Sequence, residues 1–214
     1  KPRNLFDHLG DGSMYNINSK RGKLRILYGE KPFSSPVYNT DIANFMLNMQ
    51  YIEEDPNPYV LIAPSYFVYN FDFNEAFNAH VESGADITVL YTSTNDANTK
   101  FLSCDVIQMD KEKRILSFEK NRGKSKNRQV SMEAYILSKA LFIQLIKQAA
   151  NVSSLYWFKD ILHDQVNELV IKGYGVRGYV ACIDSLSAFY KVAMELKNLK
   201  NAEALFKEDR PIYT

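Results

Sequence analysis

The sequence predicts an α/β domain in which helices pack in layers on a central sheet. Three observations support this fold class. Short strand-like segments alternate with amphipathic segments of helical periodicity, Tyr59–Ala63 is a continuous apolar run typical of a strand covered on both faces, and several helical segments have recognisable ends. The 214 residues fit a single domain, residues 1–214.

Helix signals in the first half of the chain have defined starts and stops. Asn39 or Thr40 can cap a helix, because a side-chain oxygen there accepts from the free N–H groups of the first turn. Asp72 can cap the next helix, and Gly84 can end it where a positive φ is favourable. Ahead of these helices, Lys23–Tyr28 alternates in character and predicts a strand.

The second half continues the alternation of strands and helices. The predicted strands are Asp86–Tyr91, Cys104–Met109, Ile115–Phe118, Met132–Leu137 and Tyr174–Cys182. The predicted helices are Lys139–Ala150, Leu155–Val170 and a third that starts at Asp184 or Ser185 and ends near Met194. The basic segment Arg122–Arg128 predicts a solvated loop. Ligands of such sheets bind beyond the carboxyl ends of strands, so the residues after Ile62 and around Glu119 are the first candidates.

Composition and charge argue against several function classes. A formal net charge of +1 provides no global field for nucleic acid or for an anionic membrane. There is no apolar run long enough to span a bilayer, and there is no apolar signal segment at the start. Cys104 and Cys182 are expected to be reduced core residues of a cytoplasmic protein. The three histidines lack the spacing of metal ligands, and a start at Lys1 is expected of an excised fragment.

Six segments occur in the order and spacing of known motifs. Tyr38–Ala43 resembles GTADA, Tyr59–Tyr66 resembles VLILSGDH, Phe118–Lys120 resembles F-x-EKP, Ser131–Ile136 resembles SMGIYVF, Phe158–Ile161 resembles FGKDI, and Gly178–Ser185 resembles GYWxDIGT. In this combination the chain resembles the bacterial glucose-1-phosphate adenylyltransferases. The resemblance implies a three-layer, Rossmann-like nucleotidyltransferase domain with a mixed, mostly parallel sheet. The family's N-terminal glycine-rich phosphate loop and C-terminal left-handed β-helix are not found in this sequence.

The resemblance also implies roles for individual residues. Thr40 and Asp41 would lie on the nucleotide side, and Asp160 would be a magnesium ligand. A Glu accepts from sugar hydroxyls and a Lys is a compact charge suited to phosphate. The residues expected to bind glucose 1-phosphate are Glu119, Lys120, Ser131 and Asp160.

Several residues depart from the family motifs. Ser65 stands where the family has its first magnesium aspartate, and a hydroxyl is a poor substitute for the carboxylates that Mg²⁺ prefers. Glu133 replaces a glycine, and Cys182 replaces an aspartate. The resemblance therefore implies a regulatory-type subunit that is weak or inactive alone and joins a catalytic subunit in a hetero-tetramer. Two alternatives are an enzyme that is active in its intact form and a sugar-phosphate sensor without chemistry.

Overall fold

The computed structural model describes residues 3–10, 24–27, 40–153 and 156–212. The helices are α1 (Arg3–Leu9), α2 (Asp41–Leu47), α3 (Met49–Glu54), α4 (Phe73–Ser83), α5 (Lys139–Val152), α6 (Phe158–Gln165), α7 (Leu186–Glu195) and α8 (Leu199–Leu205). The strands are β1 (Tyr59–Ile62), β2 (Phe67–Val68), β3 (Ile87–Thr94), β4 (Asp105–Met109), β5 (Ile115–Lys120), β6 (Arg128–Ser138), β7 (Ile171–Gly175) and β8 (Ala181–Cys182). The predicted α/β class is confirmed.

The central sheet is mixed and has six strands, with β6 as its longest member. One edge of β6 pairs with β3, and the other edge pairs with β1 near its end and with β4 near its start. The expected parallel arrangement is found between β3 and β7, whereas the other described pairs of this sheet run antiparallel. The reason is that β4 and β5 form a hairpin and β6 returns antiparallel beside three strands. A second, two-stranded sheet joins β2 to β8.

Helices cover both faces of the central sheet, which gives three layers. Alternating residues of a strand point to opposite faces, and β3 follows this rule, since Val89 belongs to one apolar cluster and Leu90 to the other. The first cluster packs α2, α5 and α6 on the sheet, with Phe142 and Phe158 fully buried. The second cluster packs α4 and the small sheet on the opposite face, with Ala76 fully buried.

Local capping signals are borne out by the structure. The Thr40 hydroxyl accepts from the Ala43 N–H at 3.2 Å and starts α2. The Asp72 carboxylate caps α4, which ends at Gly84 with φ of +62°. Of the two candidate caps for α7, Ser185 is the one that accepts from the first turn. Asn39, the other candidate cap for α2, lies outside the described residues.

Several boundaries differ from the sequence predictions. Leu24–Leu27, the described part of the predicted strand at residues 23–28, is not in a strand. The predicted helix after Thr40 is interrupted at Asn48 by a turn, and the predicted strand at residues 174–182 is two short strands in different sheets. The run after Pro58 is a strand, but it alternates in exposure instead of being covered on both faces, and Leu61 is 45% exposed. In the described part of the chain, no helix is both long and apolar enough to cross a membrane.

Candidate functional site

A bulge in β6 forms the centre of the candidate site. Two adjacent residues of β3, Leu90 and Tyr91, pair with Ala134 and Ser131 of β6. The register therefore skips two residues of β6. Glu133 is one of the skipped residues and has φ of +50°, a left-handed conformation that costs a non-glycine residue about 1–2 kcal/mol. The buried Ser131 hydroxyl accepts from the Glu133 N–H at 3.2 Å and so stabilises the bulge. Bulges redirect side chains, and this one turns the Glu133 carboxylate away from the regular pleat.

The Glu133 carboxylate joins two segments that are distant in sequence. Tyr66, in the turn after β1, donates its hydroxyl proton to Oε2 of Glu133, and Nζ of Lys159 in α6 lies 3.4 Å from Oε1. Both members of the ion pair are largely buried, with 28% of the Lys159 and 13% of the Glu133 side chain exposed. Burial and the Glu133 carboxylate raise the pKa of Tyr66. Burial lowers the pKa of Lys159, but the nearby Glu133 and Asp105 outweigh it and raise the pKa above its usual value.

Two further carboxylates meet at the start of α6. Asp160 accepts from the Trp157 N–H at 2.9 Å, which caps its own helix. Both oxygens of Asp41 accept from the Phe158 N–H, at 2.9 and 3.1 Å, and this contact ties α2 to α6. Burial raises the pKa of Asp41 despite these hydrogen bonds, and the charges of Asp160 and Glu133 add to the effect. Unpaired amides and the helix dipole favour negative charge at this end of a helix.

The sequence-predicted residues after β1 and at the start of α2 have contrasting environments. Ser65 is exposed in the turn that follows β1, and its neighbour Tyr66 makes the contact to Glu133. Thr40 is buried, with 2% exposed, and its hydroxyl caps α2. Ser65 therefore lies one residue from the Glu133 contacts, whereas Thr40 caps α2 and Asp41 joins α2 to α6.

A buried aspartate connects the last turn of α6 to the strand that carries Glu119 and Lys120. Asp105 is the register partner of Lys120, and its Oδ2 lies 3.4 Å from Nε2 of His163, whose ring stacks on Phe118. Burial raises the pKa of Asp105, but His163, Lys159 and Lys120 outweigh it and hold the pKa below its usual value. The charges thus alternate in space from Glu133 through Lys159 and Asp105 to Lys120.

Glu119 and Lys120 lie at the exposed end of β5 beside an open cleft of about 390 Å³. Glu119 accepts from the side chain of Gln108 at 2.9 Å, and Lys120 donates to the backbone carbonyl of Ser103. The cleft is lined by Val106, Glu119, Lys120, Asn121, Arg122, Lys124 and Arg128. Ser65, Ser131 and Asp160 do not line it. The four cations and the single carboxylate of the lining favour an anionic ligand.

Sequence patterns alone did not identify four residues of this region: Tyr66, Asp105, Asn121 and Lys159. Asn121 is 5% exposed and donates to the carbonyls of Ala97 and Phe101, each at 2.9 Å, which ties the start of the basic segment to the loop between β3 and β4. The sequence signal that could have identified Asn121 is its position next to Lys120. Tyr66 and Lys159 are likewise neighbours of predicted site residues. Within the described residues, no cluster of three or more His, Cys, Asp or Glu side chains could hold a metal ion.

Comparison with known proteins places the chain in one family. A family model described as nucleotidyl transferase matches residues 2–177. The glycogen biosynthesis protein GlgD of Geobacillus stearothermophilus is 29% identical over 99% of this chain and 52% of its own length. A glucose-1-phosphate adenylyltransferase of Lachnospira eligens is 26% identical over all of this chain and 51% of its own length. The chain therefore spans about half the length of these curated relatives.

Solved structures support the fold. A crystal structure from Bacillus anthracis, described as a glucose-1-phosphate thymidylyltransferase, superposes with a TM-score of 0.68 at 11% identity and covers 92% of this chain and 72% of that one. The structure of HddC from Yersinia pseudotuberculosis superposes with a TM-score of 0.63 at 15% identity, covering 92% and 75%. At such low identity these similarities establish the architecture and carry no information about substrate.

Proposed function

The chain belongs to the nucleotidyl transferase family, and from this premise we propose that it is part of a glucose-1-phosphate adenylyltransferase-like subunit of glycogen synthesis. In our proposal the subunit binds sugar phosphate, makes little ADP-glucose alone and modulates a catalytic partner in a hetero-tetramer. The relatives' names support the link to glycogen synthesis. The partner is proposed from the resemblance to regulatory-type subunits.

The sugar-phosphate side of the proposal relies on Glu119 and Lys120. Lys120 has an ammonium group at the mouth of a cleft that carries three further cations, so a phosphate bound there would be neutralised. Glu119 is exposed and can accept from sugar hydroxyls while Gln108 orients its carboxylate. The proposed role of this pair is to bind and orient glucose 1-phosphate. Ser131 and Asp160 lie outside the cleft, so their proposed substrate contacts depend on the resemblance.

One observation carries the proposal of weak catalysis. Glu133, which stands where the family motif has a glycine, forms an ion pair with Lys159. The reaction implied by the resemblance has a sugar-phosphate oxygen attack the α-phosphorus of ATP, with pyrophosphate leaving. Such a reaction needs positive charge that is free to meet developing negative charge. Here the ammonium group of Lys159 is already paired, and Glu133 adds an extra carboxylate that repels phosphoryl oxygens.

The side chains at the proposed metal position fit magnesium poorly. When bound in this family, Mg²⁺ would neutralise charge on the transferring phosphate groups. Its implied ligands here are the Ser65 hydroxyl and the Asp160 carboxylate, which accepts from the Trp157 N–H. The neighbouring Asp41 uses both oxygens to accept from Phe158. Magnesium is usually held by one or two carboxylates together with substrate phosphates, and here the one implied carboxylate already caps its own helix and is joined only by a neutral hydroxyl. The residues at this position therefore do not fit a magnesium ion, and Thr40 and Asp41 remain proposed nucleotide-side residues.

The decisive experiment measures ADP-glucose formation by the intact subunit, alone and mixed with its catalytic partner. We expect little product from the subunit alone and an altered rate or affinity in the mixture. Ser65→Asp should not restore full activity, because Glu133 and Cys182 also depart from the motif. Rapid turnover by the purified subunit alone would refute the proposal.

The cleft beside Lys120 favours one alternative, a sugar-phosphate sensor without chemistry. Its cationic lining can bind an anion whether or not a nucleotide site exists nearby. The alternative predicts that glucose 1-phosphate binds to the subunit but that adding the subunit leaves the kinetics of the catalytic partner unchanged. The same mixing experiment therefore separates the two functions.

A further inference from the structure

The only two cysteines of the chain lie against each other although they are 78 residues apart in sequence. The Sγ atoms of Cys104 and Cys182 are 3.6 Å apart, and both thiols are free. Cys104 directly precedes β4, whereas Cys182 ends β8 and pairs with Phe67 in the small sheet. A disulfide requires the sulfur atoms to approach by a further ~1.5 Å. The fold has thus brought two distant segments to the separation from which a covalent link can form.

The two thiols differ in their access to solvent. Cys182 lines a cleft of about 180 Å³ between α7 and the loop before β4, together with Phe101, Asp184 and Val192. Cys104 does not line this cleft and is 1% exposed, whereas Cys182 is 8% exposed. A small solute that enters the cleft therefore meets Cys182 first, and Cys104 lies behind it. The cleft is too small for a peptide disulfide but large enough for hydrogen peroxide.

The contact between the sulfur atoms also favours Cys182 as the nucleophile. Cys104 donates its S–H to Sγ of Cys182. This hydrogen bond lowers the pKa of Cys182, against the opposing effects of burial and of the Asp184 and Glu133 carboxylates. The same interaction, together with burial, raises the pKa of Cys104. Thiolate, not thiol, attacks an oxidant, so the accessible sulfur is also the more reactive one.

We propose that Cys182 and Cys104 form a peroxide-sensitive dithiol, with Cys182 as the attacking and Cys104 as the resolving cysteine. The Cys182 thiolate attacks one oxygen of hydrogen peroxide, the O–O bond breaks, and the departing hydroxide takes a proton to become water. Cys182 is then a sulfenic acid. The Cys104 thiol gives up its proton and attacks Sγ of Cys182, the S–O bond breaks, and a second water leaves. Two thiols are oxidised to a disulfide while one peroxide is reduced to two waters.

The disulfide would join the start of β4 to β8 across the apolar cluster that contains both cysteines. A cross-link between residues 78 apart removes much of the freedom of the unfolded chain. We expect oxidation to raise Tm by roughly 10 °C. This inference depends on the thiol geometry and is independent of the proposed role in glycogen synthesis.

The test treats the folded intact subunit with hydrogen peroxide and follows its mass. We expect a loss of two hydrogens that dithiothreitol reverses, with peptide mapping assigning the cross-link to residues 104 and 182. In a Cys104→Ser variant the resolving thiol is absent, so Cys182 should accumulate as a sulfenic acid that dimedone traps. In a Cys182→Ser variant, Cys104 should react with hydrogen peroxide roughly tenfold more slowly than Cys182 does in the parent.

Controls keep the result interpretable if a serine disturbs the apolar contact. Cys104→Ala and Cys182→Ala repeat the series, and the far-ultraviolet circular dichroism and Tm of each variant before oxidation establish that it is folded. The proposal is overturned if both thiols of the folded protein stay reduced at peroxide concentrations that oxidise free cysteine. It is also overturned if Cys104 is the residue trapped by dimedone in the parent protein, or if cross-links form only between subunits.

Discussion

Two regions of the candidate site use charge in opposite ways. Around the bulge, Glu133 and Lys159 are largely buried and are bound to each other. Around the cleft, the ammonium group of Lys120 donates to a backbone carbonyl. The neighbouring Arg122 and Lys124 are exposed, and neither has a carboxylate partner among the described residues. A charged residue in a family motif therefore does not by itself define a binding role. Its use depends on whether the fold has already supplied it with a counter-ion.

The largest expected effect is the loss of stability when the buried pair is broken. Lys159→Met removes the cation that pairs with Glu133, whose side chain is only 13% exposed in the parent, so we expect the free energy of unfolding to fall by about 2–3 kcal/mol. Urea denaturation of the parent and the variant measures the difference.

The matched control for this variant is Lys147→Met, because Lys147 pairs with Glu53 at 2.7 Å but on the surface, where the two side chains are 52% and 45% exposed. Exposed pairs contribute about 0–1 kcal/mol, so this change should have little effect. Equal losses in the two variants would erase the distinction between the two regions.

A smaller effect is expected for ligand binding at the cleft. Lys120→Ala should weaken glucose 1-phosphate binding about tenfold, or about 1.4 kcal/mol, because the ammonium group can neutralise the phosphate. Isothermal titration calorimetry of the intact subunit measures this affinity. Lys111→Ala, which removes an exposed cation in the turn between β4 and β5, is the control and should leave the affinity unchanged. An unchanged affinity in Lys120→Ala would mean that the sugar phosphate does not bind there.

The smallest expected effect is a change in the pH dependence of stability when Asp105, which lies between the two regions, is replaced. Its pKa in the folded state lies below the unfolded value of about 3.9, so its charge stabilises the fold above that pH. That contribution is lost as the pH falls through the folded pKa. Between pH 5 and 3, the stability of the parent should therefore fall more steeply than that of Asp105→Asn.

The control for the pH series is Asp7→Asn, since Asp7 is exposed on α1 and pairs with Arg3 of the same helix. This variant should keep the slope of the parent when thermal unfolding is followed across the same pH range. Parallel curves for the parent and Asp105→Asn would contradict the prediction that folding lowers the pKa of Asp105.

Much of the fold could be predicted from local signals. The predicted helix after Asp72 is α4, and its Asp72 cap and its end at Gly84 are as expected. Capping and glycine conformation depend on a few adjacent residues, so the sequence contains the information. The helix predicted from residue 155 to 170 is shorter in the structure, where α6 spans Phe158–Gln165. Its apolar pattern continues beyond the helix because Leu169 packs on the core from the following turn.

The candidate site could be predicted only in part. The motif order selected Lys120 and Asp160 as candidate site residues, and it identified Glu133 as a departure from the family motif. It did not reveal that Glu133 pairs with Lys159, or that Asp41 bonds to α6, because these contacts join residues 26 and 117 positions apart. Ser65 illustrates the same limit, since only its neighbour Tyr66 makes the contact to Glu133.

The sequence by itself determined the α/β class, the main helices and their caps, the family resemblance and the positions where the motifs depart from it. These features depend on residue types at short range or in linear order. The tertiary structure alone decided which charges are neutralised, that β6 bulges at Glu133, and that Cys104 meets Cys182. The physical reason is that burial and electrostatic pairing depend on distances in space, and chain folding sets those distances between residues that no local pattern connects.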